Sequence, residues 1–554
     1  MFKSNEIFLG RKKEMVLLES LYDSNKFEML ILHGRRRVGK SYLLSHFAKL
    51  HSDNTVYFTG DKDSEKNNVQ NFCEELNRVL KVGDFLNSFT TWNDVYSFLK
   101  TTEIKDRLVL IIDEFTYLYN SNPAYDSGLQ NAIDKILKSK NIFLILCGSE
   151  VSVIEEIIDN STKPLYGRKT SELKLLPFTY KEAREFFPYY SNEDALTAYS
   201  ILGGIPLYLS LFDERLTIKE NVIKNCLSTT GYLFNEIETL LRMELKETHF
   251  YKNIMLAINA GASTFNTIRD KVGEDAAKIA KYINVLINLG FIKKEVPCGE
   301  KEKSRNTLYS ISDNYFAFYF AFIFKHQNML NGLISPEMYY EKELTKVKLN
   351  TFIGYRFEQI CESYLKEQFY NGKMPFFAEN LGRWWGNNPV LKKQEEIDGE
   401  LIISSNSPNG RVKAKSKACL DRTYLLATDD ENAVICECKY TEDPFDEKQL
   451  KDLQDSALCV TQQNKSYIIF SKNGVSSNAE NKTHRTLGNH QRIVFQQIPM
   501  PDNYFELLCF CLLQLLDLSF LICKIKIYIF PIIFFIILCI RFDFKEIIIV
   551  CKKI

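Results

Sequence analysis

A glycine, four further residues, a second glycine, a lysine and a serine follow one another in Gly34-Arg35-Arg36-Arg37-Val38-Gly39-Lys40-Ser41, directly after the apolar run Met29-Leu30-Ile31-Leu32. This is the pattern of a loop that closes around phosphates. The glycines permit a tight turn whose N–H groups point inward, and the helix that follows adds its positive N-terminal dipole. Lys40 is placed to bridge β- and γ-phosphates and Ser41 to offer its hydroxyl to Mg²⁺, while Arg35, Arg36, Arg37 and Val38 complete the loop. The expected ligand is ATP with Mg²⁺.

Two acids stand where hydrolysis would need them. Residues 107–115, RLVLIIDEF, form a continuous apolar run that ends in Asp113 and Glu114, and a buried parallel strand delivers such carboxylates to the edge of a sheet. Asp113 suits Mg²⁺, held through water, and Glu114 suits polarisation of the attacking water. A second buried run, residues 142–149, ends in Ser149, which a parallel sheet would bring beside the γ-phosphate. Arg168 follows Tyr166-Gly167. It reads equally as a group that stabilises transition-state charge, in cis or across a subunit boundary, and as a surface arginine after a glycine turn.

A third set of chemical groups lies near the C-terminal end. Residues 433–440, AVICECKY, place Glu437 and Lys439 on the same side of a strand, and residues 352–365 form an amphipathic helix that presents Glu358. Two carboxylates and a lysine that converge at strand ends can hold metal ions and position water for phosphodiester cleavage. The E-x-K triplet alone is common in lysine-rich chains.

The elements that must position these groups alternate as strand and helix over residues 29–149, the pattern of a parallel α/β sheet. Residues 55–59 read as the second strand and 64–80 as a helix. Residues 251–260, 264–272 and 276–289 read as three short helices, and the arms 291–296 and 307–311 flank a charged turn as a β-hairpin wing. A winged helix-turn-helix can set Lys278, Lys281, Lys293, Lys294, Lys301, Lys303 and Arg305 against DNA phosphates. Glu295, Glu300 and Glu302 dilute that charge, so a protein-contacting spacer remains the other reading. The aromatic run 314–325 is too short to cross a bilayer and reads as packing between domains.

Taken in order, GRRRVGKS, IIDEF, LCGSE, YGR and GGIPLYL resemble the elements of archaeal-type ATPases of the STAND/AAA+ group, and Phe8-Leu9-Gly10-Arg11 with Glu14 resembles the box that lies near adenine in those proteins. The resemblance covers residues 8 to about 211. It implies that Gly204 and Pro206 help hold the adenine and that the protein acts as a homo-oligomer. Residues 309–324 resemble the segment that links the ATPase to a C-terminal domain in this family. Glu358, Arg383-Trp384-Trp385-Gly386, Glu396-Ile397-Asp398 and Glu437-Cys438-Lys439 resemble its PD-(D/E)xK nuclease-like, DUF234-type domain. That likeness implies a metal and water site of Asp398, Glu437 and Lys439 with Glu358 as the helical acid, and DNA as a partner. The chain departs from the pattern in a polar segment, 399–423. Asp398 keeps its role with an insertion behind it, or Asp421 takes its place, or the insertion has silenced the nuclease and left a binding fold.

The expected fold class is therefore α/β: a P-loop ASCE parallel-sheet ATPase domain (1–211), a helical lid (212–250), a winged helix (251–330) and an α/β restriction-endonuclease-like domain (331–480), followed by an atypical hydrophobic tail (481–554). A length of 554 residues exceeds what one hydrophobic core supports. Lys+Arg and Asp+Glu number 70 each, so nucleic-acid contact must come from local patches. The 14 cysteines have no zinc spacing and no signal peptide precedes them, so reduced thiols and a cytoplasmic setting are expected. In the tail, Glu506, Asp517, Lys524 and Lys526 interrupt an Ile/Leu/Phe/Cys-rich stretch. The uninterrupted part, 527–540, falls short of the roughly 20 residues of a membrane helix. A shifted reading frame, a buried or aggregating helix and a membrane segment are the readings it allows.

Overall fold

The computed structural model describes residues 8–122, 124–374, 376–388, 393–395, 424–479 and 493–496. Asp398, Asp421, the segment 399–423 and the tail 481–554, apart from 493–496, lie outside them. No described helix is long and apolar enough to cross a membrane.

Strands β1 (Glu28–His33), β2 (Thr55–Thr59), β3 (Leu108–Asp113), β4 (Ile142–Gly148) and β5 (Ser171–Lys174) form a parallel sheet in the order β2-β3-β4-β1-β5. Every residue of β1, β3 and β4 is buried, because helices cover both faces, and the acids and the histidine of these strands, Glu28, His33 and Asp113, stand at their ends. Alternation sorts the side chains between two cores. Leu30, Leu32, Val109, Ile111, Phe143 and Ile145 face one, and Met29, Ile31, Leu108, Leu110, Ile112 and Leu144 face the other. Since β4 separates β1 from β3, the chain just past β4 lies between the loop that follows β1 and the acids that end β3.

Helices Thr248–Asn259, Phe265–Val272 and Ala276–Asn288 follow the ATPase region, then the antiparallel hairpin β6 (Ile292–Glu295) and β7 (Leu308–Ile311). Thr264 caps the second helix through a reciprocal bond pair with Thr267, and Asp275 caps the third by accepting from the Lys278 N–H. Such caps satisfy backbone donors that a short helix cannot. The aromatic run forms the helix Asn314–Phe318 and one wide turn, Tyr319–Ile323. Tyr315, Phe316, Phe318, Tyr319 and Phe320 are fully buried in the core they share with the ATPase.

A second sheet contains β8 (Asn380–Trp384), β11 (Tyr424–Thr428), β12 (Asn432–Lys439), β13 (Asn464–Ser471) and β14 (Ile493–Gln496), in the order β14-β13-β12-β11-β8. The short hairpin β9 (Gly386–Asn388) and β10 (Lys393–Glu395) stands apart from it. The β8, β11 and β12 pairings are antiparallel, and those from β12 to β14 are parallel. The helix Lys346–Tyr370 is longer than its apolar pattern suggests. It lies against one face, with Phe357 5.6 Å from Tyr440 and Tyr364 5.9 Å from Phe470 between ring centres. Helix Glu447–Ser456 packs Leu450 and Leu453 on the other.

Candidate functional site

The loop between β1 and the helix Lys40–Leu50 takes three left-handed backbone positions, Gly34 (φ 153°), Arg37 (φ 71°) and Gly39 (φ 92°). Gly34 admits no side chain, since a Cβ there would sit 2.5 Å from the Leu175 carbonyl oxygen. Strain of this kind persists where the surroundings over-determine it, and here it turns the loop back over the helix N-terminus. Lys40 is 6% exposed. Its ammonium donates to the carbonyls of Gly34 (2.8 Å) and Arg35 (3.2 Å). Burial pulls its pKa down, while Cys147, Glu114 and Asp113 act to raise it.

Asp113 ends β3 and is 3% exposed. It accepts from the Tyr57 hydroxyl at 2.8 Å and from the Glu114 N–H at 2.9 Å. Glu114 adopts φ 51° as the residue before the helix Phe115–Ser121, and that turn sends its carboxylate to the Ser149 hydroxyl, which donates at 3.0 Å. The structure thus gathers Lys40, Ser41, Asp113, Glu114 and Ser149 at the carboxyl edge of one sheet. These residues fit a magnesium nucleotide chemically, because a hydroxyl, a buried carboxylate and an ammonium share one cleft.

Gly204 and Pro206 reach the same cleft. The ring of Pro206 lies 3.5 Å from where a Cβ on Gly39 would be, and the Gly204 carbonyl accepts from the Phe178 N–H at 2.7 Å. Arg11 spans this corner. It donates to the Val38 carbonyl at 2.8 Å and stacks 4.2 Å from the Phe178 ring.

Arg168 is not brought to the cleft. It pairs with Asp134 at 2.7 Å and donates to the Pro164 carbonyl, and it precedes Thr170, whose N–H bonds Met29 at the start of β1. It therefore sits at the amino edge of the sheet, opposite the phosphate loop, and the expectation of an arginine finger acting in cis is corrected. A glycine turn says nothing about which edge of a sheet it serves, which is why the sequence left two readings of Arg168 open.

The three loop arginines are held from outside the ATPase sheet, a feature that sequence reading missed. Arg35 pairs with Asp313 at 2.7 Å, both side chains buried, and stacks on Phe291. Arg36 pairs with Glu244 at 3.0 Å. Arg37 pairs with Glu236 and donates to its Oε2 at 3.2 Å. Burial raises the carboxyl pKa of Glu236 and Glu244, against the pull of the arginines. Glu236 and Glu244 lie on one helix, Glu236–Glu244, and Asp313 caps the helix Asn314–Phe318.

A second constellation lines a cavity of about 550 Å³ between the hairpin β6-β7, the helix Lys346–Tyr370 and the end of β12. Glu358, Glu437 and Lys439 all line it, joined by Glu295, Arg356 and Arg383. Lys439 pairs with Glu437 at 2.9 Å, and Arg383 reaches Glu358 at 3.4 Å and Glu295 at 3.5 Å. Among the described residues no group of three His, Cys, Asp or Glu side chains could hold a metal. Asp398, expected to complete such a group, lies outside them, so the residues described here do not make a metal site by themselves.

The hairpin also differs from expectation. Lys293 turns inward and pairs with Glu295 at 2.7 Å, so it is not among the lysines that could touch DNA. Lys278 is held by Glu274 at 3.1 Å. Lys294, Lys303 and Arg305 line a shallow groove beside Thr264 and Asn266. The hairpin leans on the second sheet, where the Cys298 N–H donates to the Arg383 carbonyl at 2.8 Å and the Trp385 indole to the Asn306 carbonyl at 3.1 Å.

The chain matches known proteins in two segments. A family model described as an ATPase domain predominantly from Archaea matches residues 8–212, and one for archaeal and bacterial proteins of unknown function, DUF234, matches residues 319–412. An uncharacterized protein of Methanocaldococcus jannaschii is 30% identical over 416 residues, 75% of this chain and 89% of that one. Among solved structures, a Walker-type ATPase of Pyrococcus abyssi is similar at 21% identity and a TM-score of 0.42, over 56% of this chain and 96% of that one. The ORC2 protein of Aeropyrum pernix, solved in ADPNP and ADP complexes, is similar at 12% identity and a TM-score of 0.38, over 60% of this chain and 97% of that one.

Proposed function

We infer the function from one premise: the chain belongs to the family of archaeal-type ATPases in which an ATPase domain found predominantly in Archaea is followed by a DUF234 region. It binds ATP with Mg²⁺ at the loop 34–41, hydrolyses it, and uses the exchange to reposition the regions that follow. The observation that carries this reading is the set of ion pairs that join Arg35, Arg36 and Arg37 to Asp313, Glu244 and Glu236.

Loop amides and Lys40 take the phosphates, with the Lys40 ammonium exchanging the carbonyls of Gly34 and Arg35 for phosphate oxygens. Ser41 and Asp113 would hold Mg²⁺, which supplies positive charge to the β- and γ-phosphates. Glu114, oriented by Ser149, accepts a proton from the attacking water. Gly204 and Pro206, packed near Gly39, border the adenine. Phosphate oxygens then compete with the three acids for the loop arginines, so that occupancy of the cleft loosens the helix Glu236–Glu244 and the segment at Asp313. The double variant Glu236→Gln, Glu244→Gln removes two competitors and tightens ATP binding about 5- to 10-fold, within the usual range of coupling between sites. Unchanged or weaker affinity in a labelled-ATP titration would show that the pairs do not oppose the nucleotide.

The downstream regions act on DNA. The helical triplet and hairpin form a winged helix, with Lys294, Lys303 and Arg305 beside one groove, and Glu358, Glu437 and Lys439 give the C-terminal region a nuclease-like cavity. A second reading, a nucleotide-gated binding module with an inactive nuclease fold, is favoured by the pairing of Glu437 with Lys439 and of Glu358 with Arg383. Two assays test the whole. Saturable uptake of labelled ATP by the folded full chain supports the switch, and its absence removes it. Nicking of supercoiled plasmid in Mg²⁺ or Mn²⁺ that disappears in Lys439→Ala supports the nuclease, whereas no nicking by either protein supports the binding module.

A further inference from the structure

Arg356 lies mid-way along the helix Lys346–Tyr370 and is 8% exposed. It makes no hydrogen bond or ion pair to any described residue, and its Nε is buried without a partner. Two rings hold it instead, Phe352 at 4.4 Å and Tyr355 at 4.9 Å from the guanidinium carbon. Stacking of this kind fixes the plane of a guanidinium and leaves its edge to receive an oxyanion through two parallel hydrogen bonds.

The neighbouring charges do not satisfy it. Arg383 occupies Glu295 and Glu358, and Lys439 occupies Glu437. Asp313, the acid that acts on Arg356 electrostatically, is in contact with Arg35 at 2.7 Å. A buried cation with no partner among the described residues is costly to the fold, and a bound oxyanion would offset that cost. Arg356 lines the cavity of about 550 Å³, a volume within the roughly 300–1,000 Å³ of small-ligand sites. Its other walls suit a nucleoside: Tyr309 and Tyr355 bring rings, and the hydroxyl oxygens of Thr351 and Ser310, whose protons go to the Val347 carbonyl and to Glu295, can accept from a ligand.

We propose that this cavity is a second ligand site, separate from the phosphate loop, that takes a nucleoside phosphate with one phosphoryl group on Arg356. The same chemistry has two sources, a free mononucleotide and the 5′-phosphate end of a nucleic-acid strand. The cavity is the one read above as nuclease-like, so the inference rests on that reading and names its ligand; binding is measured with the phosphate loop already filled and scored apart from plasmid nicking, so that the assignments fail separately.

The test uses the full chain saturated with ADP and Mg²⁺, followed by equilibrium dialysis against labelled AMP, inorganic phosphate, and a short oligonucleotide with a 5′-phosphate or a 5′-hydroxyl. Saturable uptake of AMP or of the phosphorylated strand by wild type is expected. Arg356→Met should weaken it at least tenfold, and Arg356→Lys, which keeps the charge but not the forked geometry, should weaken it less. Uptake of AMP assigns the free nucleotide, and uptake of the 5′-phosphorylated strand alone assigns the strand end. In thermal melts without probe, Arg356→Met should melt at or above wild type, since the substitution removes an unpaired charge, and the probe should raise the melting temperature of wild type only. Equal uptake by wild type and Arg356→Met, or no saturable uptake of any probe by folded wild type, overturns the proposal.

Discussion

Lys40→Ala lowers ATP hydrolysis by the full chain about 10²- to 10³-fold, the usual effect of removing one preorganised donor from a site of developing negative charge. The ammonium is buried inside the loop, whereas Arg35, Arg36 and Arg37 meet phosphate only by giving up Asp313, Glu244 and Glu236, so they do not make good its loss. Binding weakens along with turnover, because the contact to the phosphates exists before the transition state as well as within it. Glu114→Gln separates the two effects. An amide oxygen still accepts from Ser149, so the cleft keeps its shape and ATP affinity is nearly unchanged, while turnover falls about 10²- to 10⁴-fold with loss of the group that takes the proton. Phosphate release and labelled-ATP titration on the three proteins check both. Equal release from wild type, Lys40→Ala and Glu114→Gln would exclude hydrolysis at this site.

Gly204→Ala is the substitution with the largest expected cost to the fold. A Cβ at this position would lie 1.9 Å from the Phe178 carbonyl oxygen and 2.6 Å from its nitrogen. Both are backbone atoms, and the Phe178 N–H is bonded to the Gly204 carbonyl at 2.7 Å, so relief requires the two chains to separate and the bond to break. Overpacking against backbone costs at least about 3 kcal/mol, or a fall of roughly 6–12 °C in melting temperature at 2–4 °C per kcal/mol for a domain of this size. Because Phe178 also carries the stack with Arg11, which holds the Val38 carbonyl, the same change weakens ATP binding. Gly128→Ala is the control. Gly128 lies within the helix Tyr125–Lys135, and a Cβ there would stand 3.9 Å from its nearest neighbour, the ring of Tyr96, so alanine stabilises by about 0.5–1 kcal/mol. A Gly204→Ala protein that melts with wild type would show that the two segments are not in contact.

Much of the ATPase region was legible because its signals are local. The loop 34–41 carries its turn residues within eight positions, and the strands β1, β3 and β4 are buried on both faces, so they stand out as unbroken apolar runs. Glu437 and Lys439 likewise share a face because the period of a strand is two. Tyr57 was missed, although its position two residues before the end of β2 and the pairing of Thr59 with Asp113 bring it to the acids. Its strand carried no acid, glycine or lysine to mark it. Arg383 was legible only as part of a motif, and Lys293 only as a contact for DNA, because a sequence does not say whether a lysine in a hairpin turns outward or toward a neighbouring domain.

Amino-acid order alone determined the phosphate loop, the acid-bearing strand and the alternation that sets Glu437 beside Lys439, since each depends on hydrogen bonds and side-chain directions that repeat within a few residues. Only the tertiary structure decided which charges meet. Arg35 and Asp313 are 278 positions apart, and Arg168 and Asp134 meet at the far edge of the sheet. An ion pair is a contact between surfaces that packing brings together, and a single stretch of chain holds no record of its partner. For the same reason nothing in residues 346–370 distinguishes Arg356 from the other cations of its helix until the rings of Phe352 and Tyr355 and the cavity beside them are in place.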